Sequence, residues 1–534
     1  MTSTAPRTSS SDWPVYVILA LGAAIAVSDG ALYAASRVLG DRPTPSSPNA
    51  LVVALRADRH PATSVLVLAV VLLLALLTAA VTLALWWTGR HTRGTSGSAR
   101  WASRKDLASL VVGKDPLDRV GRIGLGEAVP GRFKLATPRT HSVLVLGPPG
   151  SGKTESVVIP SIRDWAGPAV VTSVKPDILD AAGDRRAQVG KVWIFDPTES
   201  TGRPSAKWSP LASCTTWPGA WEMATWLVDA AAPPAGGGGE VVFFTSQGRM
   251  LLAPLLFAAG AGGGTMADVV RWAQLKRADE VKESLEAIRK RGVDGVDEAS
   301  NTLTSCDEQP GNTRGNIYAT VVSILEVYVD PATARSADGC DIYPAELLDG
   351  TGTLFMISPV HAQARLAPLI EALIMSVVRE AQNRAQAGRV LDPSLLLLLD
   401  EAGNVAPLRA LPAIASTGRA QGVQLVSCWQ DAGQVEHRYG RLAPTVMSNH
   451  SVELVLRGVR DLNTLDHVSR LLGDAEVDRH SVTDRGDGGK STSTSQQRER
   501  LAPADQLRQL PVGHAVMIAG ALPPVMVRFK LTPH

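Results

Sequence analysis

Between a short apolar run at residues 141–146 and another at 155–159 stand Gly147, Pro148, Pro149, Gly150, Ser151, Gly152, Lys153 and Thr154. They spell G-x-x-x-x-G-K-[ST] in full, and no other stretch constrains the fold as much. The glycines let the backbone wrap a phosphate with its N–H groups. Lys153 then reaches the β and γ phosphates, and the Thr154 hydroxyl ligates Mg²⁺ at a helix N-terminus. Such a loop works only between a buried strand and a helix, so the chain around it has to be α/β. Glu155 opens that helix and joins the expected ATP-binding set, and Pro160 is expected to kink or shorten the helix.

A phosphate loop needs an acid to hold the metal and another to activate water. Five consecutive leucines at 395–399 followed by Asp400 and Glu401 supply both. An all-leucine run reads as a central parallel strand buried on both faces, which puts the two acids at its C-terminal end, beside the phosphates. Asp400 is the expected magnesium ligand and Glu401 the expected base. Further strands are expected at 169–173, 192–195, 353–357, 423–427 and 452–456, alternating with helices, which gives a RecA-like motor core.

The segment between the strands ending at 195 and starting at 353 has a different texture. Apolar residues three and four apart predict helices over 221–231, 243–259, 266–274, 278–290 and 316–328, broken by glycine runs. An all-α subdomain over 214–345 is therefore expected inside a motor domain built from 101–213 and 346–534. Trp217, Trp221, Trp226 and Trp272 are the right chemistry to stack single-stranded bases, but core packing of the helices is the expected role.

Lys and Arg total 53 against 51 Asp and Glu, a net charge of +2, so the chain carries no global basic footprint of a histone or ribosomal protein. Cys214, Cys306, Cys340 and Cys428 form no C-x-x-C pair and read as reduced, buried thiols. The apolar residues gather near the N-terminus, where 65–87 is an uncharged run of 23 residues and 15–35 a run of 21 with Asp29 as its single charge. Each is long enough to cross a hydrocarbon layer of ~30 Å. Together they read as a transmembrane hairpin, preceded by a cytoplasmic segment 1–14 and followed by a linker 88–100. Trp13, Trp86 and Trp87 fall at the interfaces, and Arg90, Arg93, Arg100, Arg104 and Lys105 follow the second span; since the loop between the spans carries Arg37, Arg42, Arg56 and Arg59 as well, the expected cytoplasmic placement of the motor domain rests partly on its use of ATP, with membrane lipid as a partner.

This order of parts resembles the type IV coupling proteins of conjugation and type IV secretion, the TraG/TraD family. The likeness runs through the hairpin, residues 97–102 (Gly-Ser-Ala-Arg-Trp-Ala), the phosphate loop, and Ser173-Val-Lys-Pro-Asp177 running on to 192–197. It continues through the inserted helices, Asp400, 421–423, and Trp429-Gln-Asp431. Many members follow the two acids with a Leu-Gly pair, where this chain has Ala402-Gly-Asn-Val-Ala-Pro407. The resemblance implies a membrane-anchored ring, a homo-hexamer, that hydrolyses ATP with Mg²⁺. It would receive relaxase-bound single-stranded DNA, or a protein substrate, and hand it to the type IV secretion channel. By the same resemblance Arg419 matches the arginine that completes a neighbour's ATP site. Gln430 matches the glutamine that senses the γ-phosphate, and Lys175 stands at a strand end as a nucleotide contact.

Two other readings compete. A double-stranded DNA translocase of the chromosome-segregation type shares the anchor and motor but carries a winged-helix module, where 515–531 reads only as a terminal hairpin. A docking receptor that does not hydrolyse ATP is disfavoured by the intact Lys153, Asp400 and Glu401. Residues 481–497, polar and rich in Ser, Thr and Gly, read as a mobile surface loop.

Overall fold

The computed structural model describes residues 98–534 except 232–238, 406–407, 485–489 and 532–534. The two expected membrane spans and Asp29 lie outside the described residues.

Thirteen strands are described. They are β1 (Gly124–Val129), β2 (Lys134–Ala136), β3 (Val143–Leu146), β4 (Ala169–Ser173), β5 (Val192–Phe195), β6 (Thr353–Ile357) and β7 (Leu395–Leu399). After these come β8 (Val423–Trp429), β9 (Val452–Leu456), β10 (Asp474–Asp484), β11 (Lys490–Arg500), β12 (His514–Ala519) and β13 (Val525–Arg528). Eleven of them form one sheet in the order β2-β1-β13-β12-β9-β3-β8-β7-β4-β6-β5. From β9 to β5 every neighbouring pair is parallel, and from β9 to β2 every pair is antiparallel.

Parallel strands must be apolar on both faces, and β7 shows how that is met. Leu395, Leu397 and Leu399 join the core on one face, while Leu396 and Leu398 join the core on the other. The phosphate-loop helix covers the second face. It begins as a π-helical turn, Thr154–Val158, and continues as α1 (Ile159–Asp164), with Pro160 in its first turn. Proline lacks the N–H that an α-helical bond to Ser156 would need, which accounts for the wider turn ahead of it.

The inserted segment comprises α2 (Trp217–Ala231), α3 (Gly239–Gly262), α4 (Met266–Leu275), α5 (Ala278–Lys290), α6 (Val296–Asp307) and α7 (Gly311–Ile324). α6 is additional to the helices expected from sequence. These helices share one continuous core with the first face of the sheet and with α8 (Gln363–Gln386). Among the described residues α3 alone is long and apolar enough to cross a membrane, but its residues 251–259 are buried in this core. Trp272 is buried, and Trp217 and Trp226 pack on the core, in line with a packing role, whereas Trp221 is partly exposed. Cys214, Cys306 and Cys428 are buried free thiols, whereas Cys340, expected to be buried, is free and only half-buried.

The polar stretch 481–497 corrects the expectation of a loop. Its two arms belong to β10 and β11, which pair in antiparallel register from Asp474 with Arg500 to Asp484 with Lys490. Thr483, Thr492, Thr494 and Val482 favour extended backbone, and Gly486-Asp-Gly-Gly489 is a turn-forming sequence between the arms.

Candidate nucleotide site

Parallel strands deliver their C-terminal ends to one rim of the sheet, and the site lies there. β3 runs into the loop 147–153. Gly150 and Gly152 adopt φ of +75° and +90°, a region where a side chain would be strained. At Gly147 an added Cβ would come within 2.5 Å of the Ser151 hydroxyl.

Lys153 is only 5% exposed. Its ammonium donates to the carbonyls of Gly147 and Pro148 and stands 3.7 Å from Oε1 of Glu401. Asp400 follows β7 directly, and the Thr154 hydroxyl donates to its Oδ2 at 3.4 Å. The other oxygen, Oδ1, is buried without a hydrogen-bond partner. Burial, and then the charge of Glu401, push the Asp400 carboxyl up to about 7, with Lys153 opposing them.

A buried oxygen with no partner beside a hydroxyl is a hard, all-oxygen donor set suited to Mg²⁺, an ion that takes few protein ligands and completes its shell with phosphate and water. Among the described residues no group of three or more His, Cys, Asp or Glu could hold a metal by itself, in keeping with that mode.

Glu401 adopts φ of +52°, uncommon for a residue with a side chain. The Gln430 side-chain amide donates to its Oε2 at 3.3 Å. Residues 148–150 and 152–155, together with Lys175, Asp400, Glu401 and Gln430, line one cavity of about 420 Å³. Of the residues expected at the phosphates, Gly147 and Ser151 belong to the same loop without lining this cavity, and Arg419 stands away from it.

Arg419 is exposed and sits before β8, whereas Gln430 follows that strand. Seven extended residues separate them, roughly 20 Å at 3.3 Å per residue. Its charge instead reaches His141, at the foot of β3, whose imidazole is pushed down first by burial and then by Arg419.

Sequence reasoning missed several residues. Asn404 and Asp177 line the same cavity. Arg457 and Arg460 line a neighbouring cavity of about 600 Å³ that shares residues 148–150 and Gln430 with the first. Gln434 bonds to Gln430 and to Asn404. Asp177 closes the Ser173-Val-Lys-Pro-Asp177 stretch and Asn404 stands just after the two acids, but neither stretch assigned them a role; the β9 end that carries Arg457 was a further signal, since parallel strand ends point to the site.

The family profile described as type IV secretory system conjugative DNA transfer matches residues 97–530. The chain belongs to that family. Among relatives, the conjugal transfer protein TraG of Escherichia coli is 27% identical over 462 residues, covering 79% of this chain and 72% of its own. The conjugal transfer protein TraG of Agrobacterium fabrum (strain C58) is 25% identical over 365 residues, covering 67% of this chain and 55% of its own. Among solved structures, the unbound bacterial conjugative coupling protein TrwBdeltaN70 superposes with a TM-score of 0.60 at 21% identity, covering 82% of this chain and 94% of that one. The plasmid coupling protein TrwB in complex with ADP and Mg²⁺ gives 0.59 at 20% identity, with the same coverage. At those identities the two structures speak for the fold: a conjugative coupling protein's α/β motor architecture.

Proposed function

We propose that this family member is a membrane-anchored P-loop ATPase that takes relaxase-bound single-stranded DNA, or a protein substrate, and drives it to a type IV secretion channel. One observation carries the reading. The complete phosphate loop meets both acids, with Thr154 3.4 Å from Asp400 and Lys153 3.7 Å from Glu401, in a chain of the conjugative DNA transfer family.

The loop N–H groups and Lys153 hold the β and γ phosphates of ATP. Thr154 and Asp400 hold Mg²⁺, which offsets phosphate charge when bound. Glu401 takes a proton from water as that water attacks the γ phosphorus and the bond to the bridging β–γ oxygen breaks, releasing ADP. Residues 101–213 with 346–534 are the motor, 214–345 is the all-α part, and the runs 15–35 and 65–87 are the anchor. Because Arg419 stands a strand's length from its own phosphates, it serves the neighbouring site in a ring, taken here as a homo-hexamer.

The test uses the full chain in lipid nanodiscs with phosphate release measured alone, with single-stranded DNA and with duplex DNA. Hydrolysis stimulated by single strands is expected. No hydrolysis in any arm removes the ATPase reading, and stimulation by duplex alone favours the double-stranded translocase.

A further inference from the structure

Glu401 has to offer one oxygen to water while standing 3.7 Å from a lysine that would draw it into an ion pair. What holds the carboxylate is a closed hydrogen-bonded circuit that the catalytic reading does not use. The backbone N–H of Gln430 donates to Oε1 of Gln434 at 3.0 Å. The Gln434 Nε2 donates to Oδ1 of Asn404 at 3.4 Å, and the Asn404 Nδ2 donates to Oε2 of Glu401 at 3.4 Å. The Gln430 side chain closes the circuit on the same Oε2 at 3.3 Å.

The direction of every bond follows from one group. A backbone N–H can only donate, so the Gln434 oxygen must face Gln430 and its nitrogen must face Asn404. Asn404 then turns its oxygen to Gln434 and its nitrogen to Glu401. An ionised carboxylate only accepts, and here Oε2 receives both donors, leaving Oε1 as the oxygen on the Lys153 side. Gln434 is itself fixed, because its backbone N–H caps onto the Asp431 carboxylate at 2.8 Å in the first turn of α9 (Ala432–Tyr439). The loop makes room for it at Gly403, where an added Cβ would lie 2.6 Å from the Gln434 side-chain amide.

We propose that Gln434 and Asn404 are positioning residues that orient Glu401 and Gln430 as one unit, so that Oε1 of Glu401 is the oxygen presented to the attacking water. This rests on the ATPase reading above. It also accounts for Gly403 and Asn404 in the stretch where this chain departs from the Leu-Gly ending: the small residue admits Gln434, and the amide passes its hydrogen bond on. Neither residue touches the reacting atoms, and a small error in placing a base lowers turnover without weakening binding.

The experiment compares wild type, Glu401→Gln, Gln434→Ala, Gln434→Glu, Gly403→Ala and the double variant Gly403→Ala/Gln434→Ala in the full chain, reading kcat and KM for ATP and the affinity for ATP. Gln434→Glu still accepts from Gln430 but cannot donate to Asn404. Gly403→Ala keeps Gln434 yet displaces its flexible end, so it tests the circuit even if a Gln434 variant folds poorly. Glu401→Gln is expected to be inactive, whereas each single variant at Gln434 or Gly403 is expected to lose roughly ten- to a hundredfold in kcat, with KM and ATP affinity within about twofold of wild type. The double variant is expected to be no slower than the slower single, because both changes break one circuit. Wild-type kcat in Gln434→Ala and Gly403→Ala beside an inactive Glu401→Gln overturns the proposal and leaves the ATPase reading standing, as do losses that multiply in the double variant or that fall on KM alone. An inactive wild type removes both.

Discussion

Lys153 is one of few charged side chains that the fold buries, and the reason is local. Two loop carbonyls accept from it, and Glu401 lies close enough to offset its charge. A buried ammonium held in this way is already placed where phosphate oxygens would be bound, so its contribution to the transition state needs little reorganisation. Lys153→Ala is accordingly expected to lower ATP turnover by about 10²–10³-fold, measured as phosphate release at saturating ATP. Near-normal turnover would remove hydrolysis from the site. This residue was legible because a phosphate loop is written within eight consecutive positions. Gln434 was not, because its bonds reach back to Asn404 across 30 residues, and no spacing rule links a loop amide to a helix amide that far apart.

Elements were legible in proportion to how much of them is buried. β7 shows five fully buried leucines, and β4 and β6 are likewise buried at every position, with Thr and Ser only at their ends, so each stood out as a largely apolar run. β1 carries Gly124 and Gly126, and an added Cβ at Gly126 would lie 2.9 Å from the Arg528 carbonyl on β13. Its glycine is there for close strand approach, which hides the strand from an apolar pattern. In α6 the buried Val296, Ala299, Leu303 and Cys306 keep helical spacing, but Asn301, Thr302 and Thr304 dilute it.

β9 conceals a different feature. Glu453 sits between Leu144 of β3 and Ile518 of β12, with its Oε1 buried and unpartnered. Burial pushes its carboxyl up to about 7. The unfolded chain releases this proton near the ordinary value of 4.5, so between there and 7 the folded state binds more protons and stability falls as pH rises. The loss amounts to about 3 kcal/mol at 1.36 kcal/mol per unit. Glu453→Gln keeps the shape and has no proton to lose. Urea midpoints of the variant and wild type should therefore be close at pH 5 and separate by pH 8, with the variant the more resistant. Contributions from His450 and Glu371 cancel in this comparison. A gap that stays constant or closes toward pH 8 would show that Glu453 ionises freely in the folded protein.

At the scale of the whole molecule the sheet has two ends, and the candidate site uses only one. Loop, acids and Gln430 gather at the C-terminal rim, while Arg419 stands at the opposite rim with His141. A single chain thus carries an arginine that its own phosphates cannot meet, and in the proposed ring the surface that would use it belongs to another subunit, which no pattern within one sequence can display. If Arg419 acts across a ring, Arg419→Ala should assemble and bind ATP but hydrolyse it poorly, since a missing arginine removes transition-state charge stabilisation worth about 10³–10⁵-fold in related phosphoryl transfers. Mixing separates the two geometries. An Arg419→Ala subunit keeps its loop and acids, and an Asp400→Ala/Glu401→Ala subunit keeps its arginine, so some interfaces in a mixed ring join one intact half from each. Those interfaces should hydrolyse ATP at rates above the sum of the two separate variants. An arginine acting within its own subunit, or serving only the fold, leaves every site in the mixture defective. Activity equal to that sum, in rings shown by native mass measurement to contain both subunits, would therefore take Arg419 out of the site and leave Lys153, Thr154, Asp400 and Glu401 in place.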